Sequence, residues 1–315
     1  MTPSTDAANR LPSRRTVLGG FIALSLAGCI GGRAVDEAIE EGVDAVEYGF
    51  RVLDPDGVTS MPLDHQLEEL ESSLPPAMDL LDDTKADADG DDRSDLETLH
   101  ATASTQLSLG EAYRGFRNHA EAYSGGLDAI LDEPTDPAPA TNSFEEARSI
   151  VTDAATSVDE AADAWEDVDQ DRLRALEVEP TFDRADIDEL GEEASDINRL
   201  TELVEPLPIG VAAMEFATDA YEGGSYDEAV DYYTEARTAF EPVAEELPAV
   251  SERIEHHPDR SATEGFGAAA AQAAVASGHL AEAARARADG DVATAEDHEA
   301  DSGIEELPPS WQPEK

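Results

Sequence analysis

Between Phe144 and Val168 the apolar residues fall at Phe144, Ala147, Val151, Ala154, Val158, Ala161, Trp165 and Val168, an unbroken alternation of steps of three and four. That spacing lays one apolar stripe along an α-helix, whereas in a strand it would scatter the same residues over both faces. The segment is therefore a helix that needs a neighbour to cover its stripe. Ile187, Leu190, Ala194, Ile197, Leu200 and Val204 supply a matching stripe downstream. Upstream, Leu96, Leu99, Ala103 and Leu107, then Leu109, Tyr113, Phe116, Ala120, Tyr123, Leu127 and Ile130, keep the same steps with one slip of two. This predicts one long helix or two shorter ones broken near Gly110 or Gly125-Gly126. Alternating apolar and polar runs are scarce, so the expected fold class is all-α, with antiparallel helical hairpins or a helical bundle.

Helix starts are expected at four Ser-x-x-Glu pairs, Ser94 with Glu97, Ser143 with Glu146, Ser225 with Glu228 and Ser261 with Glu264. In such a pair the hydroxyl and the carboxylate satisfy orphan backbone donors of the first turn. Linkers are expected at Asp82 to Asp92 and at Glu133 to Asn142, the second carrying Pro134, Pro137 and Pro139. Shorter breaks are expected at Pro55 to Pro62, around Pro180 and at Pro206 to Pro208. The resulting division is a leader at 1–28, a tether at 29–34, a first helical region at 35–132, a linker at 133–142 and a second helical region at 143–308.

Charge sets the environment. The chain has 73 acidic against 20 basic residues, and removing residues 1–28, with three Arg and one Asp, leaves 72 against 17, a net charge of −55. Only Lys85 and Lys315 are lysines, and the acids are spread over nearly every segment. Such a surface resembles those of extremely halophilic proteins. It also argues against nucleic acid as a partner, because no basic patch is present to neutralise phosphates.

The first 28 residues carry Arg10, the pair Arg14-Arg15 and then the apolar stretch Val17 to Ala27, too short to span a bilayer as a helix. Ser13-Arg14-Arg15-Thr16-Val17-Leu18 resembles the twin-arginine export signature. Leu26-Ala27-Gly28-Cys29 resembles a lipobox, in which the leader is cut before a cysteine that receives a lipid. Cys29 is the one cysteine of the chain, so an internal disulfide is impossible. With the acidic composition, the whole resembles a haloarchaeal twin-arginine-exported lipoprotein. The resemblance implies export of a folded chain and attachment through Cys29 to the extracellular face of the cell membrane.

Near the C-terminus, Ala217, Tyr221, Gly224, Tyr226, Ala229, Tyr233, Ala236 and Pro242 resemble a tetratricopeptide repeat running from about Gly210, with Tyr226-Asp227-Glu228-Ala229 and Tyr232-Tyr233 as its most telling part. The pattern departs from that family at Ala213, where an aromatic residue is usual. A shift of 33 residues places Ala262, Phe266 and Ala269 where Ala229, Tyr233 and Ala236 stood. A shift of 66 places Ala283, Gly290, Ala295 and Pro308 where Ala217, Gly224, Ala229 and Pro242 stood, with Glu299 in the aromatic place. The resemblance implies an α-solenoid segment whose helix pairs present a face to a protein partner.

Motifs that would carry chemistry are few. Glu97-Thr98-Leu99-His100 has the spacing of half a di-iron carboxylate site, but no second Glu-x-x-His exists. Glu255-His256-His257-Pro258-Asp259 has zinc-binding residue types in a turn. Asp87, Asp89 and Asp91 around Gly90 are similar to part of a calcium loop, yet Lys85 and Leu96 fall where that loop needs its first and last ligands. They are either weak metal ligands or a solvated linker. No nucleophile elbow, phosphate loop or His-Glu-x-x-His motif is present. The expected function is a non-enzymatic, membrane-anchored interaction or assembly platform. Its candidate contact residues are Tyr221, Tyr226, Tyr232 and Tyr233, with the lipid as the one covalent addition. A solute- or cation-binding lipoprotein is the alternative, and an envelope enzyme the third reading.

Overall fold

In the computed structural model, residues 31–53, 62, 64–132, 135–255, 260–308 and 311–312 are described. The leader with Arg14, Arg15 and Cys29, the break from Pro55 onward apart from Pro62, and His256 to Asp259 lie outside the described residues. The elements are α1 (Gly31–Val52), α2 (Asp64–Lys85), α3 (Gly90–Asp132), α4 (Ala138–Trp165), α5 (Gln170–Ala175), α6 (Arg184–Val204), α7 (Leu207–Glu222), α8 (Tyr226–Arg253), α9 (Arg260–Ala288) and α10 (Val292–Asp301), then a 3-10 turn at Ile304–Glu306. Among the described residues there is no strand, and the fold is all-α.

The stripes read from the sequence are the core. Phe144, Ala147, Val151, Ala154, Val158, Ala161 and Trp165 on α4 are buried, as are Ile187, Leu190, Ala194, Ile197, Leu200 and Val204 on α6. These two helices pack together, and the same stripe of α4 also meets α3, with Phe144 against Gly126 and Ala154 against Gly115. Helices α1 and α2 cover the first half of α3, while α6 hands the core on to α8. One continuous apolar cluster runs from Val35 to Trp311 through all of them. Consequently the turn at 135–137 joins two helices that share a core, and α4 begins at Ala138, inside the expected linker.

Helix α3 is a single helix of 43 residues. Two of the three glycines that suggested a break are places of close approach: a Cβ on Gly110 would meet Leu70 at 2.7 Å, and one on Gly126 would meet the Phe144 ring at 2.6 Å, while Gly125 faces open space. The slip in its stripe also has a cause. Because α3 is covered on several sides, Thr102, Thr105, Gln106 and His119 are buried along with the apolar series. Their polar atoms are used across helices. Gln106 Nε2 donates to the carbonyl of Val46 on α1 at 2.9 Å, and Gly49 makes room for that amide. Thr201 on α6 donates its hydroxyl to Ile197 O, so His119 Nε2 at 2.8 Å donates to Thr201 Oγ1. Tyr123 Oη pairs with Thr263 Oγ1 of α9 at 3.0 Å.

The expected caps are a correction. Ser94, Ser143 and Ser261 lie inside helices that begin earlier, and Ser225 sits at the start of α8 without a side-chain cap bond. Ser94 Oγ instead donates back to Gly90 O. The working caps are aspartates: Asp169 before α5, Asp291 before α10, and Asp183 before α6, where Asp186 completes a reciprocal box. Aspartate at this position accepts the same orphan donors and adds a negative charge at the positive end of the helix dipole.

Scarce cations sit at seams between helices. Arg172 on α5 reaches Asp91 at 2.9 Å and Asp95 at 2.7 Å on α3. Arg148 on α4 reaches Glu202 and Glu205 at the end of α6, Arg199 on α6 reaches Glu246 on α8, and Arg253 on α8 returns to Asp196 on α6. Partly exposed pairs of this kind contribute about 0–1 kcal/mol each. Their main effect is to bring cations to the places where acidic helices come closest.

Candidate functional site

The C-terminal four helices show which of the repeat correspondences are structural. The shift of 66 residues superposes two helix turns of the same geometry. Gly224 and Gly290 both take positive φ, 81° and 78°, and Ser225 N to Ala220 O repeats as Asp291 N to Ala286 O, both 2.8 Å. Ala217, Ala229, Ala283 and Ala295 are all fully buried where the α7–α8 and α9–α10 hairpins close. The shift of 33 lands differently. Pro242 lies inside α8, which continues to Arg253, and α9 runs from Arg260 to Ala288. Helices α8 and α9, 28 and 29 residues long, are each nearly as long as the roughly 34 residues of a whole tetratricopeptide hairpin.

This arrangement sorts the four tyrosines. Tyr233 is 1% exposed, packs with Ala217, Ala229, Leu280 and Ala284, and shares a hydrogen bond with Thr218 at 3.1 Å. It is a core residue and no contact residue, which corrects its place among the candidates. Burial pushes its hydroxyl up to about 12. Tyr221 is half-buried in a clasp that joins three helices. Its hydroxyl donates to Glu299 on α10, while Arg287 on α9 donates to Tyr221 Oη at 3.1 Å and to Glu299 Oε1 at 2.9 Å. Glu299 occupies the aromatic place of the repeat because a carboxylate there receives both donors. Tyr226 stacks edge-on against Tyr221 with ring centroids 5.4 Å apart.

The clasp has a pH signature. Burial raises the Glu299 carboxyl, but the Tyr221 hydrogen bond and the Arg287 hydrogen bond and charge together outweigh it, so the group is held below its ordinary 4.5. Its contribution is whole at neutral pH and is lost as pH falls through that depressed value. The Tyr221 hydroxyl is pushed up to about 12, by burial first and then by Glu299. Its share is whole below 10 and disappears as pH rises through about 12. Tyr221→Phe is expected to cost about 1 kcal/mol locally, seen as a roughly fivefold faster amide exchange in α10 at neutral pH and molar salt. Unchanged exchange there would show that the clasp does not hold α10.

Tyr232 is half-buried against the Tyr233 cluster and has an exposed neighbour. Its ring meets Phe216 of α7 at 5.9 Å between centroids. Phe216 is 48% exposed, and Ile209, seven residues earlier and so on the same side of α7, is 44% exposed. The sequence reading passed over both residues because α7 is apolar nearly all round, and such a helix reads as wholly buried. The available signal was that excess: α8 covers one side of α7 and leaves the Ile209–Phe216 side to solvent. The other large exposed apolar side chains, Leu131, Val275 and Val292, lie on α3, α9 and α10. Isolated exposures like these are ordinary.

The remaining candidates are dispersed. Asp87 and Asp89 lie at the connection between α2 and α3 and Asp91 in the first turn of α3, its carboxylate bound by Arg172. Glu97 pairs with Lys85 and Arg93, and His100 with Asp82 at 3.5 Å, so both point outward from the bundle. Among the described residues no three His, Cys, Asp or Glu side chains converge as a metal site would require, and no helix is long and apolar enough to cross a membrane. A cleft of about 100 Å³ opens between Leu53, Leu109, Tyr113, Phe182 and Leu190, with Asp186, Glu193 and Glu255 at its rim. More open clefts of about 370–480 Å³ lie elsewhere on the surface, one of them between Arg237, Glu241, Val275, His279 and His298, within the roughly 300–1,000 Å³ usual for small-molecule sites but lined in good part by charged groups. On α7, two large exposed apolar side chains, Ile209 and Phe216, share one face of a single helix, with the Tyr232 ring beside Phe216. Comparison of the chain with protein-family models, with curated proteins and with solved structures found no match.

Proposed function

We propose that this protein is a lipid-anchored extracellular scaffold that docks a partner protein on the outer face of the α7–α8 hairpin. The observation that carries the reading is the aromatic strip of Ile209, Phe216 and Tyr232, left open on a body otherwise coated in carboxylates. Aromatic side chains with an apolar neighbour are the usual energetic centre of protein interfaces. Attachment rests on the leader: Arg14 and Arg15 for export and Cys29 for the lipid.

A photo-crosslinking amino acid placed at Tyr232 of the full-length protein tests both halves in native membranes. A discrete adduct is expected at position 232 and none from the same probe at Val275. With Cys29→Ser added, the mature chain is expected to leave the membrane fraction for the medium. Equal, smeared labelling from both positions would end the docking half. Retention of the serine variant on membranes would end the anchoring half.

A further inference from the structure

We infer that the partner presents a cationic amphipathic segment, an apolar stripe flanked by arginine or lysine, to the strip formed by Ile209, Phe216 and Tyr232. The inference rests on the docking role proposed above and names the chemistry of its occupant.

The first support is local charge. From Leu200 to Ala236 the chain has 37 residues without a lysine, arginine or histidine, and nine acids among them. The cations that bond to this stretch come from outside it and reach Glu202, Glu205 and Tyr221. Glu202 pairs with Arg148 and Arg199, and Glu205 with Arg148. Beside the strip, helical spacing puts Asp219 one turn from Phe216, and Glu228 and Glu235 one turn to either side of Tyr232. These three carboxylates take no ion pair and no side-chain hydrogen bond among the described residues. An apolar strip edged by uncompensated anions is complementary to an apolar stripe edged by cations.

The second support is what the same features disfavour. A second copy of this chain would bring two such anionic edges together, and a membrane surface of acidic headgroups would repel them. In molar salt the Debye length is about 3 Å, so long-range steering is screened and only contact pairs survive. The apolar contact then supplies affinity and the flanking cations supply selectivity. Arginine suits this best, since its planar fork binds a carboxylate through two hydrogen bonds.

The test uses the mature protein in molar salt and three synthetic helical peptides that share one leucine and phenylalanine stripe. Their polar faces carry arginine, glutamine or glutamate. Fluorescence anisotropy is expected to show saturable binding of the arginine peptide, about tenfold weaker binding of the glutamine peptide and none of the glutamate peptide. Phe216→Ala, at a half-exposed position that leaves the helical spectrum unchanged, is expected to weaken the arginine peptide by tenfold or more. Neutralising the strip's edge with Asp219→Asn, Glu228→Gln and Glu235→Gln should abolish the preference for arginine over glutamine. The same treatment of Glu37, Glu40 and Glu41 on exposed α1 should not.

Equal affinity for the arginine and glutamine peptides, indifference to Phe216→Ala, or an equal effect of the α1 control would overturn the inference. So would a concentration-dependent dimer that Phe216→Ala dissolves, which would assign the strip to a second copy. Failure here is separable from failure of the docking role. A discrete adduct at position 232 with no arginine preference removes the cationic partner alone, whereas absence of that adduct removes the docking role too.

Discussion

Transferred from molar salt to dilute buffer, the mature chain is expected to lose most of its helical circular-dichroism signal and to recover it when salt is restored. With 72 acids against 17 bases after the leader, like charges crowd every exposed helix face. At 1 M salt the Debye length is about 3 Å and neighbouring carboxylates barely sense each other, whereas at 0.01 M it is about 30 Å and the whole bundle repels itself. Folding stability is only about 5–15 kcal/mol, small against summed repulsion over so many sites. The seam-bridging arginines offset part of it, but each exposed pair is worth at most about 1 kcal/mol. A spectrum and melting curve unchanged at low salt would show that the core carries the fold without screening.

Phe144→Ala is expected to destabilise the protein by about 3–5 kcal/mol, and Gly115→Leu by about 3 kcal/mol, both read from urea midpoints at molar salt. Phe144 is fully buried on α4, its ring against Gly126 of α3 and 5.9 Å from the Tyr123 ring. Truncation leaves a cavity in the longest seam of the bundle, between two helices whose backbones cannot close it. Gly115 tests the same seam from the other side. A Cβ there would lie 2.6 Å from Ala154 Cβ and 3.4 Å from Ala154 Cα, so backbone, not a pliable side chain, has to move. If both variants unfolded at the parent midpoint, the seam between α3 and α4 would not be the backbone of the core.

What the sequence made legible, and what it hid, has a physical pattern. Stripes were legible where a helix is covered along one face, as on α4 and α6, because each apolar position there has one meaning. They blurred on α3 and α7. In α3 several neighbours bury Gln106 and His119 beside the leucines, and in α7 apolar residues occur on the open face as well. Serine caps misled because a chain with so many glutamates produces Ser-x-x-Glu within helices, while the aspartates that cap α5, α6 and α10 resemble any other surface acid. Pro242, read as part of the repeat, does not end its helix, and other prolines behave alike. Pro75 and Pro76 in α2 and Pro242 and Pro248 in α8 lie within helices, on sides that solvent reaches, where water can serve the carbonyls they leave unbonded. Of the four tyrosines chosen from the repeat, half-buried Tyr232 is the one beside an exposed apolar ring, and its companions Ile209 and Phe216 were visible only once α7 had been placed against α8.

The central claim is that this one aromatic strip is covered in the cell by another protein. Radical footprinting of Phe216 and Tyr232 compares the protein in its native membranes with the purified mature chain, both in molar salt. The account predicts strong protection of both rings in membranes, with Val275 and Leu131 labelled alike in the two preparations. Equal labelling of Phe216 and Tyr232 in membranes and in isolation would mean that nothing sits there, and would contradict it.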